Sequence, residues 1–131
     1  MITSTFIIAI VAYFIFNFAF TAPWNLIVFK KQYEEMTGTI QRERPIMPLG
    51  MLAMLIEATA MALVFSMFYA GGIAQALELS LLVGLFSFLY GALVVPAKFK
   101  IEPVGKYVAL EVAHGLVQFV GIGLIFAFIF R

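Results

Sequence analysis

The chain contains no cysteine, one histidine and few charges: 11% of its 131 residues are Asp, Glu, Lys or Arg. Without thiols, disulfides, thiolate metal sites and cysteine nucleophiles are all excluded. A charged fraction this far below the roughly 25% of soluble domains leaves too little polar surface for a water-soluble fold. A net charge of +1 offers no basic field for nucleic acid, so none is expected as a partner. No serine, histidine and acid are spaced for nucleophilic chemistry, and no enzyme activity is expected.

What the chain has in abundance is hydrophobic sequence, 64% of the total. A helix needs about 20 mostly apolar residues to cross the roughly 30 Å hydrocarbon core. Four segments meet that length: 5–29, 47–69, 73–97 and 104–130. They do not alternate apolar and polar residues as the strands of a membrane barrel do. The expectation is an all-α, four-transmembrane-helix bundle forming a single integral membrane domain over residues 1–131. No basic residues precede the first apolar run and no small-x-small site closes it, so it reads as a retained span rather than a signal peptide.

Orientation follows from charge. Lys30, Lys31, Arg42, Arg44, Lys98, Lys100 and Lys106 fall on the side of the first and third loops, whereas only Arg131 lies with the termini. Short basic loops stay cytoplasmic, which puts both termini on the non-cytoplasmic side. Trp24, Tyr33 and Tyr107 then mark one membrane interface and Tyr69 the other, where amphipathic rings settle. The loop over 30–46, "KKQYEEMTGTIQRERP" and its flank, reads as a solvated interfacial segment or as a docking surface for another subunit.

Polar and small residues recur at helical spacing. Tyr13, Asn17, Thr21 and Trp24 share a face of the first span, with a kink expected at Pro23. Ser80, Gly84, Ser87 and Gly91 form a ridge that lets backbones approach closely. Glu78, near the outer boundary, can snorkel to water. In the last span Tyr107, Glu111, His114, Gln118 and Gly121 make one polar stripe. A charge at the bilayer centre costs at least ~2.5–3.5 kcal/mol, so this stripe must face protein or a water-filled cavity. Counting from Pro48 and Pro103, Glu57, Glu111 and His114 lie roughly 12–17 Å deep, near Asn17. Glu57, Glu111, His114, Gln118 and Asn17 are therefore the candidate intramembrane polar site. The repeated Pro-x-Gly followed by Glu also suggests two related hairpins.

Three stretches carry a resemblance. In "PWNLIVFKKQYEEMTG" Trp24, Tyr33 and Gly38 stand nine and five apart; "GLFSFLYGALVVPAKFK" sets Gly84 and Tyr90 before Lys98; "EVAHG" runs from Glu111 to Gly115. Together they resemble an uncharacterised bacterial family of small four-span membrane proteins. The resemblance implies a fold and topology, and a bacterial cytoplasmic membrane, but no activity. This chain departs from the pattern at His114, where the family has tryptophan, and at Gly91, where an acid is expected.

Three functions suit such a layer. The first is a hydrogen-bonded helix–helix network in a structural or accessory subunit, partnered by the lipid bilayer, by further copies or by other membrane chains. Neutral carboxyls and imidazoles supply both donors and acceptors for it. The second is proton, ion or small-solute translocation through Glu57, Glu111 and His114. The third is a mononuclear metal site on those three residues, or haem on His114. A single Glu-x-x-His falls short of a di-iron centre, and no cofactor is called for.

Overall fold

A computed structural model of the chain describes residues 3–38 and 40–131. Among the described residues it consists of five helices and no strand. Four are long and apolar enough to cross a membrane: α1 (Ser4–Val28), α3 (Met47–Phe68), α4 (Ile73–Lys98) and α5 (Val104–Ile129). The fifth, α2 (Lys30–Thr37), is short and follows α1 directly. Each long helix begins and ends within one residue of the bounds expected from hydropathy, because bilayer thickness sets the length of an apolar run.

Local chemistry fixes the helix ends. The Thr3 hydroxyl caps α1 by accepting the Phe6 amide at 3.2 Å, one of the four donors a helix start leaves open. Pro48 occupies the first turn of α3, where its missing N–H costs nothing. The tight connection from α3 to α4 uses Gly71 and Gly72 at φ 138° and 89°, a region that side chains avoid. Gln75 closes this turn, accepting from the Ala70 and Gly71 amides and donating to the Phe68 carbonyl at 3.1 Å.

The helices pack in the order α3, α1, α5, α4, with α5 most heavily against α4 and α3 touching α4 only lightly. Thr3, Met67 and Phe130 line one groove, placing both termini and the α3–α4 turn at one end of the bundle. Toward that end the core is apolar: Phe6, Ala9, Ala62, Phe65, Ile122 and Phe126 are its centre. Large side chains such as Ile15, Ile27, Phe86 and Phe128 point outward. Acyl chains solvate such groups as well as protein does, so packing and hydrogen bonds, not burial from water, select the helix contacts.

Two π-helical turns, at Trp24–Val28 and Leu85–Leu89, change which residues face inward. The first follows Pro23, which offers no backbone donor; the Asn25 carboxamide donates to the Thr21 carbonyl at 3.0 Å. The second divides the small-residue ridge. Ser80 and Gly84 lie against α5, where the Ser80 hydroxyl donates to the Phe119 carbonyl at 2.5 Å. A Cβ on Gly84 would sit 2.6 Å from the Phe119 ring, whereas one on Gly91 would meet nothing within 4 Å. The extra residue of a π turn rotates everything beyond it. Ser87 thereby turns toward α3, Gly91 leaves the contact, and Ala92 is buried in its stead.

The segment after α1 is not merely a solvated flank. Tyr33, Met36 and Thr37 share the buried face of α2, while Lys30, Lys31, Glu34 and Glu35 stay exposed. That face closes a second apolar cluster with Ile101 and Tyr107 at the loop end of the bundle. Gly38 ends the helix where a Cβ would stand 2.5 Å from the Glu34 carbonyl oxygen.

Candidate functional site

The polar residues form two groups along the seam between α1 and α5. The first lies under α2. Tyr33 donates its hydroxyl proton to Glu111 Oε1 at 2.6 Å and accepts from Trp24 Nε1 at 3.1 Å. One phenol thus joins α1, α2 and α5. Burial raises the Tyr33 phenol above its ordinary range, and the bond to Glu111 raises it further.

One turn deeper, Thr21 Oγ1 donates to Asn17 Oδ1 at 2.9 Å and stands 3.1 Å from His114 Nε2. A hydroxyl has a single proton. With that proton on Asn17, the imidazole carries its own on Nε2 and donates to Thr21. The ring is also held by aromatic contacts: Phe20 stacks on it at 4.9 Å, and Trp24 meets it edge-on at 5.3 Å. Glu111, His114 and Asn17 are therefore brought together, through Tyr33, Trp24 and Thr21.

Glu57 belongs to the second group. Its Oε1 accepts from the Ser87 hydroxyl at 2.5 Å. Tyr13 and Gln118 lie one helical turn beyond Asn17 and His114 on α1 and α5, and both side chains are buried. Among the described residues no three His, Cys, Asp or Glu side chains come together. The three-ligand metal site that depth counting allowed is not formed, because Glu57 projects toward α4 while Glu111 is taken by α2. Haem ligation fares no better: His114 Nε2 is engaged by Thr21 between two aromatic rings.

The remaining residues divide as follows. Tyr107 lies under α2 with Tyr33, and Tyr69 packs on Phe65 at the opposite end. Glu78 is exposed. On α5, Gly121 receives the Phe16 ring and Gly123 abuts Ser80, so glycines of both α4 and α5 set helix approach. Sequence reasoning placed Tyr33 at an interface and Ser87 in a packing ridge; both bond buried-layer carboxyls. The four-and-three spacing of Tyr13, Asn17, Thr21 and Trp24 was the signal that found the α1 side of this layer.

Comparison with protein-family models, curated proteins and solved structures gives no match. The fold and site define a helical membrane protein with four spans. Trp24, Tyr33, Glu111 and His114 stand in one contiguous cluster.

Proposed function

We propose that this chain is a structural or accessory subunit of a membrane assembly, in which the polar layer locks helices rather than conducting. One observation carries this reading: Tyr33 fastens α2 over the bundle by bonding Trp24 and Glu111 together. The groups beneath it are engaged with one another, as Thr21 is with Asn17 and His114. Hydrogen bonds inside membranes average only about 0.6 kcal/mol, so a network of them fixes register more than it adds stability. Toward the termini the seam is filled by Phe65, Phe119, Ile122 and Phe126, each buried and apolar. That filling favours a lock over a proton or solute conduit through Glu57, Glu111 and His114.

The subunit role is supported by α3. Its loop-end residues from Met47 to Ala53 are exposed on every face, and Gly50 and Ala53 there allow another helix to approach. The basic first and third loops favour a cytoplasmic loop end, in a bacterial inner membrane.

The test is the state of the protein in mild detergent. A homo-oligomer or a defined set of co-purifying membrane chains is expected by light scattering and mass spectrometry. A homogeneous monomer that recovers no partner overturns the reading. Glu111→Gln should preserve the assembly, because a carboxamide still accepts from Tyr33; loss of assembly together with proton flux in reconstituted vesicles would favour translocation.

A further inference from the structure

The seam between α3 and α4, which touch only lightly, leaves polar groups facing lipid. Halfway along both helices the Ser87 hydroxyl donates to Glu57 Oε1, and this bonded pair opens outward, with Ser87 exposed and Glu57 half-exposed. Tyr90, one turn nearer the loop end, is 68% exposed. Side chains on a helix lean toward its start, which carries the phenol back toward the level of Ser87. Acyl chains offer a carboxyl and a phenol no hydrogen bond, so polar groups within spans turn toward protein. None of the four spans covers this pair or Tyr90.

The apolar part of the same seam has a matching shape. On the terminal side a groove of about 470 Å³ runs between the helices, lined by Val64, Phe68, Leu79, Leu82, Val83 and Phe86. Phe86 stands at its rim with 80% exposure, the most exposed large hydrophobic side chain among the described residues. One face thus carries both a hole and a knob, and both a carboxyl that accepts and a phenol that donates.

We propose that this seam is a two-fold interface with a second copy of the chain, in which Phe86 of each copy enters the other's groove and Tyr90 of each donates to the other's Glu57. The contact lies within the assembly proposed above and rests on that reading. A two-fold contact requires a surface that complements itself, and this face does so in shape and in hydrogen bonding. Copies inserted in one orientation are related by an axis along the membrane normal, so residues meet others at their own depth. Tyr90 and Ser87 are three positions apart, about 4.5 Å of helix rise, which keeps phenol and carboxyl in one layer. Gly50 and Ala53 share the Glu57 face of α3 at spacings of three and four, and they let the second copy approach closely. A different membrane chain would need its own knob and its own donor at this level; a second copy brings both. The groove between α1 and α5, lined by Phe16, Leu116, Val117, Val120 and Gly121, has no polar side chain to offer a partner.

Photo-cross-linking identifies the occupant. With p-benzoylphenylalanine in place of Phe86, irradiated membranes should yield a band of doubled mass, with position 86 joined to the segment 64–68 or 79–83 of the second copy. A cross-link to a different membrane chain, or to lipid alone, overturns the second copy as occupant. The same photoreactive residue at Val117 should give no doubled band. Affinity is read by energy transfer in vesicles between copies labelled at Glu35→Cys. Phe86→Ala should raise the dissociation constant at least roughly tenfold, the order of a central interface side chain. Tyr90→Phe should raise it about threefold, the order of one intramembrane hydrogen bond. Both side chains are exposed in the single chain, so neither change disturbs its fold. Unchanged affinity in either variant overturns this interface and leaves the subunit reading standing; no energy transfer in the wild type, with no cross-link to any chain, overturns both.

Discussion

Tyr33 and Glu111, 78 positions apart, are joined by a hydrogen bond of 2.6 Å. The contact reaches from an amphipathic helix outside the spans to a carboxyl within the last one. A solvated flank would leave Glu111 facing a gap; instead the flank folds back and fills it.

Removing the Tyr33 hydroxyl deletes a donor to Glu111 and an acceptor for Trp24 at once. Tyr33→Phe should therefore weaken the docking of α2 by about 1–3 kcal/mol, the usual cost of stranding a buried polar partner. Trp24 is the only tryptophan, so its fluorescence reports the site directly. A shifted emission maximum and faster amide exchange across α2 are expected, with less effect from Glu111→Gln. Unchanged exchange in Tyr33→Phe would show that apolar packing alone holds α2.

Alkaline titration should report the docking of Tyr33. An undocked phenol ionises near its ordinary value of 10.0. The docked one keeps its proton to higher pH, since burial and then the Glu111 bond disfavour the phenolate. Above the ordinary value the docked state thus binds more protons than the undocked state. Its stabilisation is complete below that value and falls as pH rises through the docked one. Tyrosinate absorbance should show one late-titrating phenol fewer in Tyr33→Phe than in the wild type.

The divided ridge on α4 gives a contrast between two glycines. Gly84→Ala drives a methyl group into the Phe119 ring, while Gly91→Ala enters open space. Overpacking of this kind costs about 1–3 kcal/mol. Unfolding in detergent should show that loss for Gly84→Ala and little change for Gly91→Ala. Equal effects would mean that the π turn at Leu85–Leu89 does not rotate the ridge.

The absence of cysteine makes topology easy to test. Single cysteines at Glu35, on the exposed face of α2, and at Ala70, in the α3–α4 turn, need no background removed. A membrane-impermeant maleimide applied to intact cells should label Ala70→Cys and spare Glu35→Cys. The reverse pattern would invert the orientation taken from the basic loops.

How much of this was legible in the sequence varies with the range of the interaction. The spans were, because a run of apolar residues fits the bilayer whatever else is nearby. The α1 and α5 stripes were, because spacing of three and four is local geometry. That Glu111 and His114 would join Asn17 followed from depth. That Glu57 would not join them did not follow, since depth gives a level in the membrane but no direction around the helix. The amphipathic pattern of Tyr33, Met36 and Thr37 was present, yet eight residues that could equally lie on the membrane surface do not declare what they cover. The second π turn, which carries the Ser87 that bonds Glu57, had no sequence signal of its own.

By itself the sequence determined that the chain enters a membrane, how many times it crosses, and which helix faces cannot meet lipid. These are questions of solvation, answered residue by residue. Only the tertiary structure decided which polar side chain each carboxyl meets, because that depends on rotation and tilt between helices. Those are set by glycine contacts, by a proline and by two widened turns acting together.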